Sequence, residues 1–237
     1  TFNRFTKICP KENIYIVTNE SYVDLVKKNL PQLPIENILG EPLRRNTAPC
    51  VSYAAFKIAA KNPDANIVVA PSDHIITKEN AFVEAINKGL SFTAQNDCLL
   101  TLGITPSRPD TGYGYIQFVD EKHNETNKIF KVKTFTEKPN LEMARFFLQS
   151  GEFVWNAGIF LWNLKSILKA LKEHLPEMYH LFEEGNSVYN SKDESAFIKT
   201  AYSQCTNISI DFGVMEKAKN VFVMSAEFGW SDLGTYG

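Results

Sequence analysis

Hydrophobic and polar positions along the chain alternate between short apolar runs and amphipathic stretches. Asn13 to Thr18 alternates as a strand does, Ser21 is placed to cap a helix through Leu30, and Ile35 to Leu39 makes a second short strand closed by Gly40. After a polar loop from Glu41 to Asn46, Thr47 is positioned to cap a helix running from Ala48 to about Ala60, with Pro49 in its tolerant first turn. Ile67 to Ala70 is apolar without polar alternation, the pattern of a parallel strand covered on both faces. It stops at Pro71-Ser72-Asp73-His74, so the strand delivers the Asp73 carboxylate to its own carboxyl end, where ligands of open α/β sheets bind.

The same reading predicts a helix over Glu79 to Ala94 and a second buried strand over Cys98 to Gly103. A proline- and glycine-rich crossing from Ile104 to Tyr113 follows. Tyr115 to Val119 and Lys128 to Phe135 then alternate like antiparallel strands around a polar turn. Leu141 to Ser150 reads as a helix, Val154 to Trp162 as an apolar strand, Leu164 to Leu175 and Glu194 to Tyr202 as helices, and Val221 to Ser225 as a last strand. Thr1 to Phe5 looks like the interior of a helix without its cap, as if the sequence opened in mid-domain.

Composition narrows the function classes. A length of 237 residues with 44% hydrophobic positions allows one large α/β domain or two small ones. The formal charge of −2, from 25 basic and 27 acidic residues without a dense Lys/Arg block, argues against a dedicated nucleic-acid or membrane-surface protein, so the expected partner is a small molecule. Cys9, Cys50, Cys98 and Cys205 show no C-x-x-C spacing, which indicates reduced residues in a cytoplasmic protein rather than a zinc site or a disulfide framework. No run has the length of a membrane-spanning helix, and the first residues lack the order of a signal peptide.

Several short strings could carry chemistry. Asp73 and the distant Asp232, in Gly229-Trp-Ser-Asp-Leu-Gly, could together serve a metal-assisted phosphoryl site. In Thr111-Gly-Tyr-Gly-Tyr, Gly114 allows a ligand close to the backbone, the alternative being a simple turn. Glu137-Lys138-Pro139 sets an acceptor for sugar hydroxyls beside a cation suited to phosphate, or is a solvated pair. Asn156 is one amide in an apolar strand and must find partners, either a ligand or the main chain. His74 is not read as a general base, because no serine or cysteine sits in a nucleophile-elbow context and neighbours on an extended chain point to opposite sides.

Taken in order, Glu41-Pro-Leu-Arg-Arg-Asn-Thr-Ala-Pro, Ala70-Pro-Ser-Asp-His, Gly103-Ile-Thr-Pro, Thr111-Gly-Tyr-Gly-Tyr-Ile, Phe135-Thr-Glu-Lys-Pro, Trp155-Asn-Ala-Gly-Ile-Phe, Ser209-Ile-Asp-Phe-Gly-Val-Met-Glu-Lys and Trp230-Ser-Asp-Leu-Gly resemble the bacterial mannose-1-phosphate guanylyltransferases. The resemblance spans almost the whole chain. It implies a nucleotide-diphospho-sugar transferase fold, Rossmann-like, with a mixed, mostly parallel sheet flanked by helices, in one nucleotidyltransferase domain over residues 1–237. The implied reaction joins GTP and mannose 1-phosphate into GDP-mannose and pyrophosphate with Mg²⁺. By matching positions, Asp73 and Asp232 are the implied metal ligands, Gly114, Glu137 and Asn156 the sugar contacts, and Lys138 a phosphate contact. Arg44, Asn46, Thr47 and Ala48 fall where that family builds its nucleobase side, while the roles of Asp211 and Lys217 stay open. Catalysis would need in-line alignment and charge neutralisation at Asp73, Lys138 and Asp232 but no protein nucleophile. The family's glycine-rich loop would precede Thr1, and an extension would follow Gly237. A transferase for another sugar 1-phosphate, a non-catalytic nucleotide-sugar sensor, and assembly as a homodimer are the alternatives left open.

Overall fold

In the computed structural model, which describes residues 1–119 and 128–232, the chain divides into a helical unit and a sheet unit. The helical unit comprises Phe2–Ala65 and Leu164–Lys217, and the sheet unit comprises Thr1, Asn66–Asn163 and the stretch from Ala218 onward. The chain opens in the helical unit with α1 (Phe2–Phe5), β1 (Ile16–Asn19), α2 (Val23–Asn29), β2 (Ile38–Glu41) and α3 (Thr47–Ala59). It then builds β3 (Asn66–Val69), β4 (His74–Ile76), α4 (Glu79–Gln95), β5 (Leu99–Ile104), β6 (Tyr115–Phe118), β7 (Ile129–Thr136), α5 (Leu141–Ser150) and β8 (Phe153–Asn163) of the sheet unit. It returns to the helical unit as α6 (Leu164–His174), α7 (Pro176–Glu183) and α8 (Glu194–Gln204). The last described elements, β9 (Val221–Ser225) and β10 (Trp230–Asp232), belong to the sheet unit.

In the helical unit β1 and β2 run parallel, with Ile16 opposite Ile38. Phe56 of α3 stacks on Phe182 of α7 at 6.3 Å and meets Tyr179 at 5.3 Å. A buried charge cluster sits beside these rings. Lys57 Nζ donates to both carboxylate oxygens of Glu194 at 2.7 and 2.6 Å, Tyr53 Oη donates at 2.6 Å, and the Asn190 amide donates at 2.6 Å. Burial, and then the Glu194 carboxylate, push the Tyr53 phenol well above its usual range.

The sheet unit holds a six-stranded sheet in the order β3-β8-β5-β9-β7-β6, with β6 also bonded to β8. Leu99, Leu100 and Leu102 of β5 are fully buried. Helix α4 lies against this sheet through Phe82, Ile86, Gly89 and Thr93, one face at helical spacing. Its Gly89 is small enough to let Leu100 and Leu161 approach its backbone.

The sheets are mixed and accompanied by helices, as expected. Parallel pairing, however, is confined among the described strands to β1 with β2 and β5 with β9, and β8 runs antiparallel to β3, β5 and β6. The expectation of a mostly parallel sheet is therefore corrected: a continuous apolar run reports burial, not strand direction. Nor is β3 covered on both faces, for all four of its residues are half-buried. Ile35–Asn37 is a 3₁₀ turn rather than the start of a strand, and the cap of α3 is Asn46, whose side chain accepts from the Thr47 amide at 2.9 Å. The short β4, β10 and α7 were not anticipated. The turn expected between Val119 and Lys128, with His123, lies outside the described residues, as do Leu233 and Gly234. All four cysteines are free. Burial pushes the thiol of Cys50 up to about 12, helped by Glu41, and those of Cys98 and Cys205 up to about 11.

Candidate functional site

Two carboxylates 159 positions apart in sequence are brought together by a two-stranded ladder of the sheet unit. β10 pairs antiparallel with β4, setting Asp232 opposite His74 and Trp230 opposite Ile76. The ladder continues through the Thr77 and Lys78 amides, which donate to the Gly229 and Phe228 carbonyls. Gly229 has a φ of +66°, and a side chain there would overlap Thr77, so the turn entering β10 requires glycine. Asp73 lies in the bend just before β4, outside regular strand, so the alternation argument that separated it from His74 does not apply. Asp73, His74 and Asp232 each bring a donor atom within 4.8 Å of the other two. Two oxygen donors suit a hard divalent cation such as Mg²⁺, which is commonly held by one or two carboxylates together with water and phosphate oxygens.

The expected sugar contacts form a second group in the same unit. β8 carries an irregularity: Thr101 of β5 faces Phe160, but Gly103 faces Asn156, and Gly158 within the interruption has a φ of +66°. This bulge leaves Asn156 only 9% exposed. Its amide donates to the Gly114 carbonyl at 2.8 Å. Its Oδ1 lies 2.9 Å from the hydroxyl of the buried Thr101 and accepts from the Gly158 amide at 3.1 Å. The Asn156 carbonyl oxygen thus accepts twice within the protein. Thr101 escaped the sequence reading because a threonine in an apolar strand gives no signal of its partner.

Gly114 lies against the other expected acceptor. A Cβ built there would run into Glu137 Oε2 and stand 3.4 Å from Asn156 Cβ, so the absent side chain is what lets Glu137, Gly114 and Asn156 converge. Lys138 follows Glu137 with its amine 3.9 Å from Glu137 Oε1 and its side chain 66% exposed. Its φ of +46° is left-handed, a conformation uncommon for lysine and unusual before a proline. Aromatic contacts join the strings that sequence analysis treated separately. Trp230 meets His74 at 5.4 Å and Tyr113 at 5.1 Å, and Tyr113 meets Trp155 at 5.0 Å. Arg108, paired with Asp110 at 2.7 Å, lies over the Trp155 ring at 5.4 Å; no motif had marked it.

The Arg44–Ala48 segment belongs to the helical unit and enters α3. Arg44 and Asn46 are exposed. Asn46 combines φ +68° with ψ −167°, a region adopted almost only by glycine. Thr47 Oγ1 accepts from the Ile210 amide at 2.9 Å, and the Ala48 amide donates to the Ile208 carbonyl at 3.1 Å. Ala48 is fully buried, so packing accounts for its small side chain. Arg45 Nε is buried without a hydrogen-bond partner among the described residues. Glu41, at the head of the same string, accepts from Tyr202 Oη at 2.8 Å; burial raises its carboxyl above the usual range, and that hydrogen bond opposes the shift. A cavity of about 740 Å³ in this unit is lined by residues of β2, α3 and α8 and by none of the candidate site residues. Of the two carboxylates of the sheet unit, Asp73 is exposed and Asp232 half-buried.

The chain is matched over residues 8–237 by the family pattern described as nucleotidyl transferase. It is 35% identical over 236 residues to a mannose-1-phosphate guanylyltransferase of Escherichia coli K12, covering 95% of this chain and 48% of that protein. A Sinorhizobium fredii protein of the same name is 37% identical over 228 residues, covering 93% of this chain and 43% of its own length. The chain thus spans about half the length of these curated relatives. Among solved structures, a Thermus thermophilus protein described as mannose-1-phosphate geranyltransferase superposes with a TM-score of 0.86 at 27% identity, over 98% of this chain and 64% of that one. A Helicobacter pylori protein described as mannose-6-phosphate isomerase gives 0.79 at 25% identity, over 98% and 88%. No helix among the described residues is long and apolar enough to cross a membrane.

Proposed function

From the premise that the chain belongs to the nucleotidyl transferase family, we propose that this protein transfers a guanylyl group from GTP to mannose 1-phosphate, giving GDP-mannose and pyrophosphate. The observation that carries the reading is the convergence of Asp73 and Asp232 on the β4–β10 ladder, beside the aromatic contacts that run through Trp230 and Tyr113 to Trp155. The names of the relatives supply the sugar and the base. Asp73 and Asp232 hold Mg²⁺, which when bound neutralises phosphate charge. Glu137 and Asn156 bind mannose hydroxyls, Gly114 leaves the room for both, and Lys138 binds the sugar phosphate. Arg44, Asn46 and Thr47 serve the nucleobase side.

The attacking oxygen of a sugar phosphate is already ionised near neutral pH, so the reaction requires no protein base. It requires the phosphate oxygen in line with the α-phosphorus, and charge-assisted contacts that strengthen as the pentacovalent geometry forms. Both units belong to one catalytic domain in this reading, and the protein works in the cytoplasm.

The test is GDP-mannose synthesis by the complete protein carrying Asp73→Asn or Asp232→Asn. Each change should lower turnover about a hundredfold or more, the scale of removing a principal electrostatic group. Normal activity of both variants at limiting Mg²⁺ sinks the assignment. A panel of sugar 1-phosphates in the same assay separates mannose from another sugar.

A further inference from the structure

His74 lies in the carboxylate cluster, yet its coordination chemistry is already committed. Trp230 Nε1 stands 3.1 Å from His74 Nδ1, with the rings crossed edge-on at 84°. An indole N–H only donates, so Nδ1 is the acceptor. A neutral imidazole has one nitrogen with an available lone pair, which leaves Nε2 carrying the ring hydrogen. Neither nitrogen is then open to a cation while the Trp230 bond stands, although His74 is within 4.8 Å of both carboxylates by its donor atom.

The Trp230 side chain is held where it makes this bond. Its backbone pairs with Ile76 across the β4–β10 ladder, its ring packs at 5.1 Å on Tyr113, and it lies against the buried cluster that includes Trp155 and Phe147. Ordering the indole therefore costs the site little, because ladder and ring packing fix it independently of the hydrogen bond.

We propose that Trp230 is a positioning residue that sets cation selectivity: by occupying the His74 lone pair it keeps the site all-oxygen, favouring Mg²⁺ over cations that prefer nitrogen, Zn²⁺ above all. Three donors including an imidazole would suit Zn²⁺, whereas two carboxylates with water and phosphate oxygens suit Mg²⁺. Breaking the bond frees His74 to turn a nitrogen into the cluster. This inference rests on the reading that Asp73 and Asp232 hold a divalent cation.

The experiment is calorimetric titration of the complete protein with Mg²⁺ alone and with Zn²⁺ alone, in the wild type, in Trp230→Phe and in Trp230→Phe/His74→Ala. Phenylalanine keeps a ring against Tyr113, deletes the donor and gives up part of the indole's volume. Zn²⁺ affinity should rise about tenfold or more in Trp230→Phe, the scale on which partners of metal ligands act, while Mg²⁺ affinity holds. The gain should vanish in the double variant. Co²⁺ as a probe should show visible absorption bands of nitrogen ligation in Trp230→Phe alone, a signature that loss of packing would not produce. Unchanged Zn²⁺ affinity in a folded Trp230→Phe protein, or a gain that survives His74→Ala, overturns the proposal. A second measurement needs no variant at all: ¹⁵N spectra of the wild-type histidines should keep His74 Nδ1 as the acceptor on Zn²⁺ addition, and direct imidazole ligation there refutes the idea. If Asp73→Asn leaves Mg²⁺ binding intact, the underlying two-carboxylate reading fails instead, and the two failures are told apart.

Discussion

Gly114→Ala is the sharpest probe of the sugar contacts, because the structure says what a single methyl group would displace. The new Cβ would enter the space of Glu137 Oε2 while meeting Asn156 Cβ at an ordinary 3.4 Å. The obstructing atom is the far end of a flexible side chain, so the carboxylate swings aside and the backbone stays. Gly114 is not among the residues with positive φ, and alanine fits its conformation without strain. Restricting the unfolded chain should even return about 0.4–1 kcal/mol of stability. The cost falls on binding: losing a hydrogen bond to a charged acceptor is worth about 1.5–3 kcal/mol, or roughly ten- to 150-fold in Kd. Calorimetric titration should therefore show mannose 1-phosphate weakened by that factor, GTP largely unaffected, and the melting temperature held.

A double-mutant cycle completes the test. Glu137→Ala removes the same carboxylate directly, so adding Gly114→Ala to it should cost almost nothing more, the strong non-additivity expected of groups in contact. Two independent losses that sum, or equal weakening of GTP and mannose 1-phosphate, would refute the claim that Gly114 acts by making room for Glu137.

Asn46→Gly should raise or hold stability, since glycine relieves a conformation costing about 1–3 kcal/mol and as a cap loses only a few tenths. The same change should weaken GTP, and a GTP titration unchanged alongside a raised melting temperature would remove Asn46 from the binding surface. Lys57→Met should leave the Glu194 carboxylate buried without its cation and cost about 3–5 kcal/mol, a fall in melting temperature of roughly 6–20 °C for a domain of this size. Replacing both partners, Lys57→Met with Glu194→Leu, should recover part of that loss, and a single variant that melts with the wild type would show that the pair contributes nothing.

The longer helices and the longer strands of the sheet unit were legible, the helices by their period and the strands by alternation or an unbroken apolar run. Asn140 to Gly151 shows this well: the Asn140 side chain caps at Met143, Ala144 and Phe147 face inward, and Gly151 closes the helix in the left-handed region. Strand direction was not legible, since β3 and β8 are both apolar runs and nothing within either one says that they oppose each other. The cap of α3 was expected at Thr47 and is Asn46 instead, with Thr47 Oγ1 engaged by the Ile210 amide, a contact 163 residues distant in sequence.

The candidate site shows the same division between local and distant information. Residue type and strand-end position mark Asp73, Asp232, Glu137 and Asn156 as able to bind something, but not which of them meet. The three-residue strands β4 and β10 are too short to have a period, yet their pairing decides that Asp232 stands across from His74 and that the Trp230 indole reaches the imidazole. Dismissing His74 as a base was sound chemistry applied to the wrong geometry: with Asp73 in a bend rather than a strand, the two neighbours no longer diverge. The histidine's relation to the carboxylates then depends on a tryptophan 156 positions away, and a hydrogen bond of that reach leaves no trace in the local pattern of either string.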